Sequence, residues 1–60
     1  MSYTAKTFKE LEIGEEFWDY TEPLGSGDLF IKTSIEESIH KEGKFIVLFR
    51  QDDIIEVENE

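Results

Sequence analysis

Four stretches of the chain have the short runs of apolar, β-branched and aromatic residues that are typical of β-strands. They are "EEFWDY" (15–20), "DLFIKT" (28–33), "FIVLF" (45–49) and "IIEVE" (54–58). The last of them alternates apolar and polar residues, as a strand with one buried face does. Turn-forming segments lie between these runs, and "TEPLGSG" contains the only proline and two of the four glycines. The pattern predicts an all-β fold of short strands.

One short helical turn is predicted ahead of the first of these strands. Thr7 stands three positions before Glu10 in "TFKELEIGEEF", which is the spacing of a capping box. Residues 1–6 show no comparable pattern and are predicted to fray, as are residues 59–60. The predicted domain therefore spans residues 7–58.

The stretch from Ser34 to Gly43 carries signals for both a helix and a strand. Ser34 and Glu37 have the spacing of a second capping box. Ile35 and Ile39 are four residues apart, which places them on one face of either a helix or a strand. We favour a strand, because a two-turn helix would have little apolar surface to hold it. A hairpin turn at "HKEGK" would also lead directly into "FIVLF".

Five short strands in one chain of 60 residues predict a small SH3-like barrel. Closing the sheet would also remove edge strands that could otherwise aggregate. We expect Ile46 and Leu48 to pack against the N-terminal turn. The side chains expected to fill the core are Phe17, Leu29, Ile31, Phe45, Val47, Ile55 and Val57.

The charge of the chain is large and unevenly distributed. Residues 10–28 contain seven acids and no base, residues 51–60 contain five acids and no base, and the net charge is −9. Because the first and last strands of such a barrel lie close together, the two blocks would form one negative face. The acids suit either a solvated surface or the attraction of a basic protein. They disfavour direct binding of nucleic acid or of an anionic membrane, which both require basic clusters.

The aromatic residues of the first strand are the strongest candidates for a binding site. If Phe17 faces the core, alternation along the strand turns Trp18 and Tyr20 outward. Burial of Trp18 against the following loop is the alternative. On the next strand, Phe30 would join them if its aliphatic neighbours point inward, and exposed aromatics with a polar rim are typical of protein-binding surfaces. The predicted partner-binding residues are Trp18, Tyr20, Phe30, Glu15, Glu16, Asp19, Asp52 and Asp53.

No residue pattern in the chain predicts catalysis, a metal site or a cofactor. There is no cysteine, and His40 is the single histidine and is expected to be an ordinary surface residue in a turn. The carboxylates lack the spacing of a calcium loop, and Lys32 is expected in a surface ion pair. No apolar run approaches the roughly 18 residues of a membrane span, and the N-terminus lacks a secretory signal. A cytoplasmic protein without enzyme activity is expected.

A resemblance to other small proteins covers residues 8–58. It rests on a frame F-x-x-L-x-x-G-x-x-F, on "LFIKTS", and on F-x-x-D-x-x-x-E-V near the end of the chain. In this sequence these are Phe8, Leu11, Gly14, Phe17, then Lys32 and Ser34, then Phe49, Asp52, Glu56 and Val57. The pattern resembles small uncharacterised bacterial and phage proteins. The resemblance implies an SH3-like barrel and brings no catalytic residues with it.

Three functions are compatible with these features. The first is a non-enzymatic adaptor or modulator that docks a protein through the aromatic patch, with the acids steering it to a basic surface. The second is a phage-type inhibitor that mimics the charge of a nucleic acid and occupies a nucleic-acid-binding cleft. The third is a structural or assembly subunit. We expect steep salt dependence for the second and concentration-dependent oligomers for the third.

Overall fold

The short β-prone runs pair into one antiparallel sheet of six strands, which a computed structural model describes for residues 2–59. The strands are β1 (Ser2–Thr7), β2 (Glu16–Asp19), β3 (Leu29–Lys32), β4 (Glu37–His40), β5 (Ile46–Leu48) and β6 (Ile54–Asn59). Their spatial order is β1-β6-β2-β3-β4-β5. The all-β prediction is confirmed, but the described sheet has six strands where five were predicted, and it is not closed. Met1 and Glu60, at the ends predicted to fray, lie outside the described residues.

β1 is the strand that the apolar pattern did not predict. Residues 2–6, which were predicted to fray, pair with β6, and Asn59 at the other predicted loose end lies opposite Ser2. The strand consists mainly of exposed polar residues, so it has no apolar alternation to reveal it. Its backbone ladder and an edge-on contact between the Tyr3 and Trp18 rings, 5.4 Å between centroids, hold it in place.

The inner face of the sheet packs around a cluster of phenylalanine rings. Phe17 and Phe30 stack with their centroids 5.5 Å apart, and Phe8 stacks on Phe49 at 5.1 Å. The predicted core positions Phe17, Ile55 and Val57 are confirmed, and Val47 packs against the same cluster. The buried apolar residues are Phe8, Leu11, Phe17, Phe30, Ile55 and Val57.

Phe30 is a core residue, and its predicted place in an outer aromatic patch is wrong. It is 5% exposed and lies directly opposite Phe17 in the β2–β3 register. Residues paired across an antiparallel ladder share a face, so a partner of Phe17 must point inward. Leu29 and Ile31, predicted as core, therefore lie half-buried on the outer face. Phe45 was also predicted as core but is 52% exposed, ahead of β5.

Lys32 is buried on the inner face instead of forming the surface ion pair expected for it. Its Nζ donates hydrogen bonds to the carbonyl oxygens of Phe8, at 2.9 Å, and Leu11, at 2.8 Å. The ammonium also lies 4.4 Å from the centroid of the Phe8 ring. Lys32 thereby ties β3 to the turn that precedes β2.

The predicted helical turn is confirmed as a 3₁₀ helix, Phe8–Glu10. The Glu10 carboxylate accepts the Thr7 backbone N–H at 2.7 Å and the Thr7 hydroxyl at 2.8 Å, as part of a capping box. These hydrogen bonds favour the charged form and lower the pKa of Glu10. Among residues 2–59, no helix has the length and apolar character that crossing a membrane would require.

The ambiguous stretch from Ser34 to Gly43 forms a strand and a turn. β4 covers Glu37–His40, which confirms the favoured prediction. The Ser34 hydroxyl accepts the Glu37 N–H at 3.1 Å, so the capping-box spacing starts a strand here rather than a helix. The positive φ of the following turn falls on Lys44, at 61°, rather than on Gly43.

Candidate functional site

The outer face of the sheet is the surface left for a site, because the inner face is occupied by the core. Strand pairing sets Trp18 of β2 opposite Glu56 of β6 and Leu29 of β3. The face divides into two parts with different chemistry. We define the acidic half by Tyr3, Glu16, Trp18, Glu56 and Glu58, and the aliphatic half by Leu29, Ile31, Ile39, Ile46 and Leu48.

Trp18 points outward as predicted and is half-buried. The Tyr3 ring packs against the indole in an edge-to-face arrangement. Trp18 also lines a surface pocket of about 350 Å³, together with Leu29 and the carboxylate-bearing residues Asp28 and Glu42. The Trp18 side chain and two carboxylate side chains therefore line one surface pocket.

His40 lines the same pocket, whereas the sequence predicted an ordinary surface residue in a turn. Its Nδ1 accepts the Gly43 backbone N–H at 2.7 Å, and its Nε2 lies 3.2 Å from the Asp28 carboxylate. The ring stacks on Phe45 at 4.5 Å and meets the edge of Phe30 at 5.2 Å. These contacts fix the imidazole beside the Asp28 carboxylate at the pocket.

Glu56 belongs to the acidic block of the sequence, but it is fully buried. Its two carboxylate oxygens accept the backbone N–H groups of Thr21 and Gly25, each at 2.7 Å. Hydrogen bonds to an ionised group are about twice as strong as neutral ones. Glu56 thus fastens the loop of residues 20–27 over the acidic half. Sequence reasoning missed this role, because an acid at an outward position of an alternating strand looks like an ordinary solvated residue.

Tyr20 is exposed as predicted, at 44%. Its hydroxyl donates a hydrogen bond to the Glu22 carboxylate at 3.2 Å. This bond and the negative charge of Glu22 raise the pKa of Tyr20. Asp19 is also exposed, and its carboxylate accepts the Tyr20 N–H at 3.1 Å. Tyr20 and Asp19 are therefore accessible to a partner.

The acids at the start of β2 have local partners. The Glu15 carboxylate accepts the N–H of Glu12 at 3.0 Å, which closes the turn before the strand. Glu16 forms an ion pair with Lys41 across the outer face. Both predicted site residues therefore have a structural use, and the Glu16–Lys41 pair borders the Trp18 pocket, which Lys41 lines.

The acids of the β5–β6 turn lie apart from the indole. The Asp53 carboxylate accepts the Arg50 N–H at 2.8 Å and so caps that turn. The Asp53 carbonyl accepts the N–H of Phe8, which packs the turn against the 3₁₀ helix. Asp52 is exposed. The sequence predicted that the first and last of its strands lie side by side, and the pairing of β2 with β6 confirms this. Asp52 and Asp53, however, do not line the Trp18 pocket.

The aliphatic half was not identified as a surface from the sequence. Ile31, Ile39 and Ile46 are opposite one another on β3, β4 and β5 and form a row across the sheet. Ile46 and Leu48 were expected to pack on the N-terminal turn, but they are 66% and 72% exposed. The reason is the register, in which Val47 takes the inward position of β5 and its two neighbours point outward.

No protein-family model, curated protein or solved structure matches this chain. The resemblance to small bacterial and phage proteins with SH3-like barrels therefore stays a prediction. Within residues 2–59, no three histidine, cysteine or carboxylate side chains are grouped so that they could hold a metal ion.

Proposed function

We propose that the protein is a non-enzymatic binding module that docks a basic protein partner at the Trp18 pocket, at the border of the acidic half of the sheet. The observation that carries this proposal is the pocket in which the Trp18 indole lies beside Asp28 and Glu42. A lysine or arginine side chain placed there would meet an indole, whose face attracts cations, and two carboxylates. Lys41, which also lines the pocket, is paired with Glu16. Tyr3 takes the place next to Trp18 that the sequence had assigned to Phe30.

The distribution of charge supports a basic partner. Residues 10–28 and 51–60, which supply β2 and β6, contain twelve acids and no base. Residues 29–50, which supply β3 to β5, contain three acids and four bases. The field of the molecule therefore attracts a cationic surface towards the acidic half, and such fields mainly accelerate encounter and orient the partner. The pocket at Trp18 would provide the short-range contact.

A peptide titration tests the proposal. The probe is a capped peptide with two arginines among glycine and serine, and the matched control replaces both arginines with citrulline, which has the same shape and no charge. We expect the arginine peptide to change the Trp18 fluorescence and the citrulline peptide to bind several-fold more weakly. We expect Asp28→Asn to weaken binding of the arginine peptide about two- to fivefold, the range of a cation–aromatic and charge contact at a surface. Asp52→Asn, an exposed acid outside the pocket, is the control variant.

Two results would contradict the proposal. One is equal binding of the arginine and citrulline peptides. The other is equal weakening by Asp28→Asn and Asp52→Asn, with steep salt dependence and no change when Trp18 is replaced by Phe. This second result would favour the charge-mimicking inhibitor, because only the total charge would then matter.

A further inference from the structure

We propose that β5 is a docking edge for an extended segment of a partner protein. The partner segment has aliphatic side chains at its centre and carboxylates at both of its ends. This surface is separate from the Trp18 pocket and independent of the function proposed above. It is defined by the backbone of β5, by the exposure of its side chains and by the charges at its ends.

The backbone of β5 has one side available for pairing. On the β4 side, the His40 N–H donates to the Phe45 carbonyl and the Phe49 N–H donates to the Glu36 carbonyl, both at 2.8 Å. Because backbone groups of alternate residues point to opposite sides of a strand, those of Ile46 and Leu48 point to the edge of the sheet. An extended peptide adds to such an edge by continuing the ladder.

The side chains of β5 suit an aliphatic strand. Ile46 and Leu48 are the outward residues, and Ile46 continues the row that Ile31 and Ile39 begin. A strand added next to β5 would place its own outward side chains against Ile46 and Leu48, and such cross-strand pairs stabilise a sheet. Exposed aliphatic residues in one contiguous group are typical of interaction surfaces.

The opposite edge of the sheet, formed by β1, carries residues that protect an edge against the addition of another strand. β1 has the sequence SYTAKT, which places polar side chains and Lys6 along that edge. Lysines and polar residues on an edge strand discourage the addition of another strand. β5 has no charged residue of its own between Lys44 and Arg50. The two edges therefore differ in the feature that controls strand addition.

The charges at the ends of β5 select the partner. Lys44 precedes the strand and Arg50 follows it, and within residues 2–59 neither forms an ion pair. A segment with carboxylates at both ends would pair with both cations. A second copy of this chain fits less well, because antiparallel pairing of two β5 strands about Val47 would set Lys44 opposite Arg50 of the other copy. Like charges in that position oppose pairing.

A peptide series tests this proposal by NMR on the labelled protein. The probe is a capped heptapeptide that alternates isoleucine and threonine between two terminal aspartates. One control carries lysine in place of both aspartates, and another carries N-methyl groups on its inner amides, which block strand pairing. We expect shift changes and slowed amide exchange at Ile46 and Leu48 with the aspartate peptide. We expect at least about fivefold weaker binding of the lysine peptide and loss of binding for the N-methylated peptide.

Charge reversal provides the decisive variant. Lys44→Glu combined with Arg50→Glu is expected to make the lysine peptide the tighter ligand, while Lys6→Glu on the other edge leaves the preference unchanged. Trp18→Phe is expected to leave it unchanged too, so failure here is distinguishable from failure at the Trp18 pocket. An unchanged preference after charge reversal, or shift changes confined to the Trp18 pocket, would overturn the proposal. So would a dimer in sedimentation that Leu48→Lys dissociates, because a second copy would then occupy the edge.

Discussion

The two halves of the outer face have the same strand geometry but differ in which of their outward side chains are buried. In the acidic half, the side chain of Glu56 is fully buried under the loop of residues 20–27. In the aliphatic half, Ile46 and Leu48 remain largely exposed. The usual expectation is the reverse, since carboxylates favour water and aliphatic groups favour burial. The connections between strands therefore decide which outward residues are covered.

The difference follows from the lengths of the connections. The long segment between β2 and β3 folds back over the outer face, and its backbone N–H groups find their acceptor in Glu56. A buried carboxylate is tolerable only when it is hydrogen-bonded in this way. The turn between β4 and β5 is short and stays at the end of the strands. The aliphatic half therefore keeps its surface available for a partner.

The largest effect is expected when the acidic half loses its organising carboxylate. Glu56→Ala removes the acceptor of the Thr21 and Gly25 N–H groups. We expect a loss of roughly 3 kcal/mol in the free energy of unfolding, because two charge-assisted hydrogen bonds are broken and the loop opens. Urea denaturation measures the loss, and hydrogen exchange at Thr21 and Gly25 should accelerate.

The neighbouring Glu58 provides the matched control, since it lies on the same face of β6 and is exposed. Glu58→Ala should change the free energy of unfolding by less than about 0.5 kcal/mol, as surface substitutions generally do. Equal effects of the two variants would mean that the Glu56 hydrogen bonds do not stabilise the acidic half.

A smaller effect is expected from the loop glycine that packs against β1. Gly25 has a φ of 84°, and an added Cβ would lie 2.4 Å from the Tyr3 ring. Gly14 has a similar φ of 96°, but its Cβ would meet nothing within 4 Å. We expect Gly25→Ala to cost about 2 kcal/mol and Gly14→Ala about 1 kcal/mol, the second value reflecting backbone strain alone. Thermal or urea unfolding measures both, and equal losses would show that the Tyr3 ring moves aside without cost.

The aliphatic half is expected to tolerate polar substitution. Leu48→Thr should change the free energy of unfolding by less than about 0.5 kcal/mol, because the side chain is already exposed in the folded state. Val47→Thr on the inward side of the same strand should cost clearly more, since Val47 packs against the core. A large loss for Leu48→Thr would show that its side chain contributes to folding rather than to an interaction surface.

The sequence predicted the parts of this architecture that depend on alternation alone. The inward position of Phe17 and the outward positions of Trp18 and Tyr20 follow from the period of a strand, and the structure confirms them. Phe30 was assigned to the wrong face, because alternation fixes relative positions within a strand and leaves its register open. Only the pairing with Phe17 decides which face Phe30 takes.

The buried charges could not be predicted for a different reason. Lys32 and Glu56 are buried because backbone groups from distant parts of the chain supply their hydrogen bonds. Those partners lie 21 to 35 residues away in the chain, so no local pattern contains them.

The smallest effect is expected at the exposed hydrogen bond between Tyr20 and Glu22, and it is measured as a change in the titration of Tyr20. Glu22 accepts the Tyr20 hydroxyl and raises its pKa above the ordinary 10.0, because both the hydrogen bond and the negative charge disfavour the phenolate. A pKa raised in the folded state contributes stability below the unfolded value, and this contribution is lost as the pH rises through the folded value. We expect Glu22→Gln to lower the pKa of Tyr20 towards 10.0, as measured by phenolate absorbance in a Tyr3→Phe background. An unchanged titration would mean that Tyr20 is free of Glu22 and available to a partner without breaking a contact.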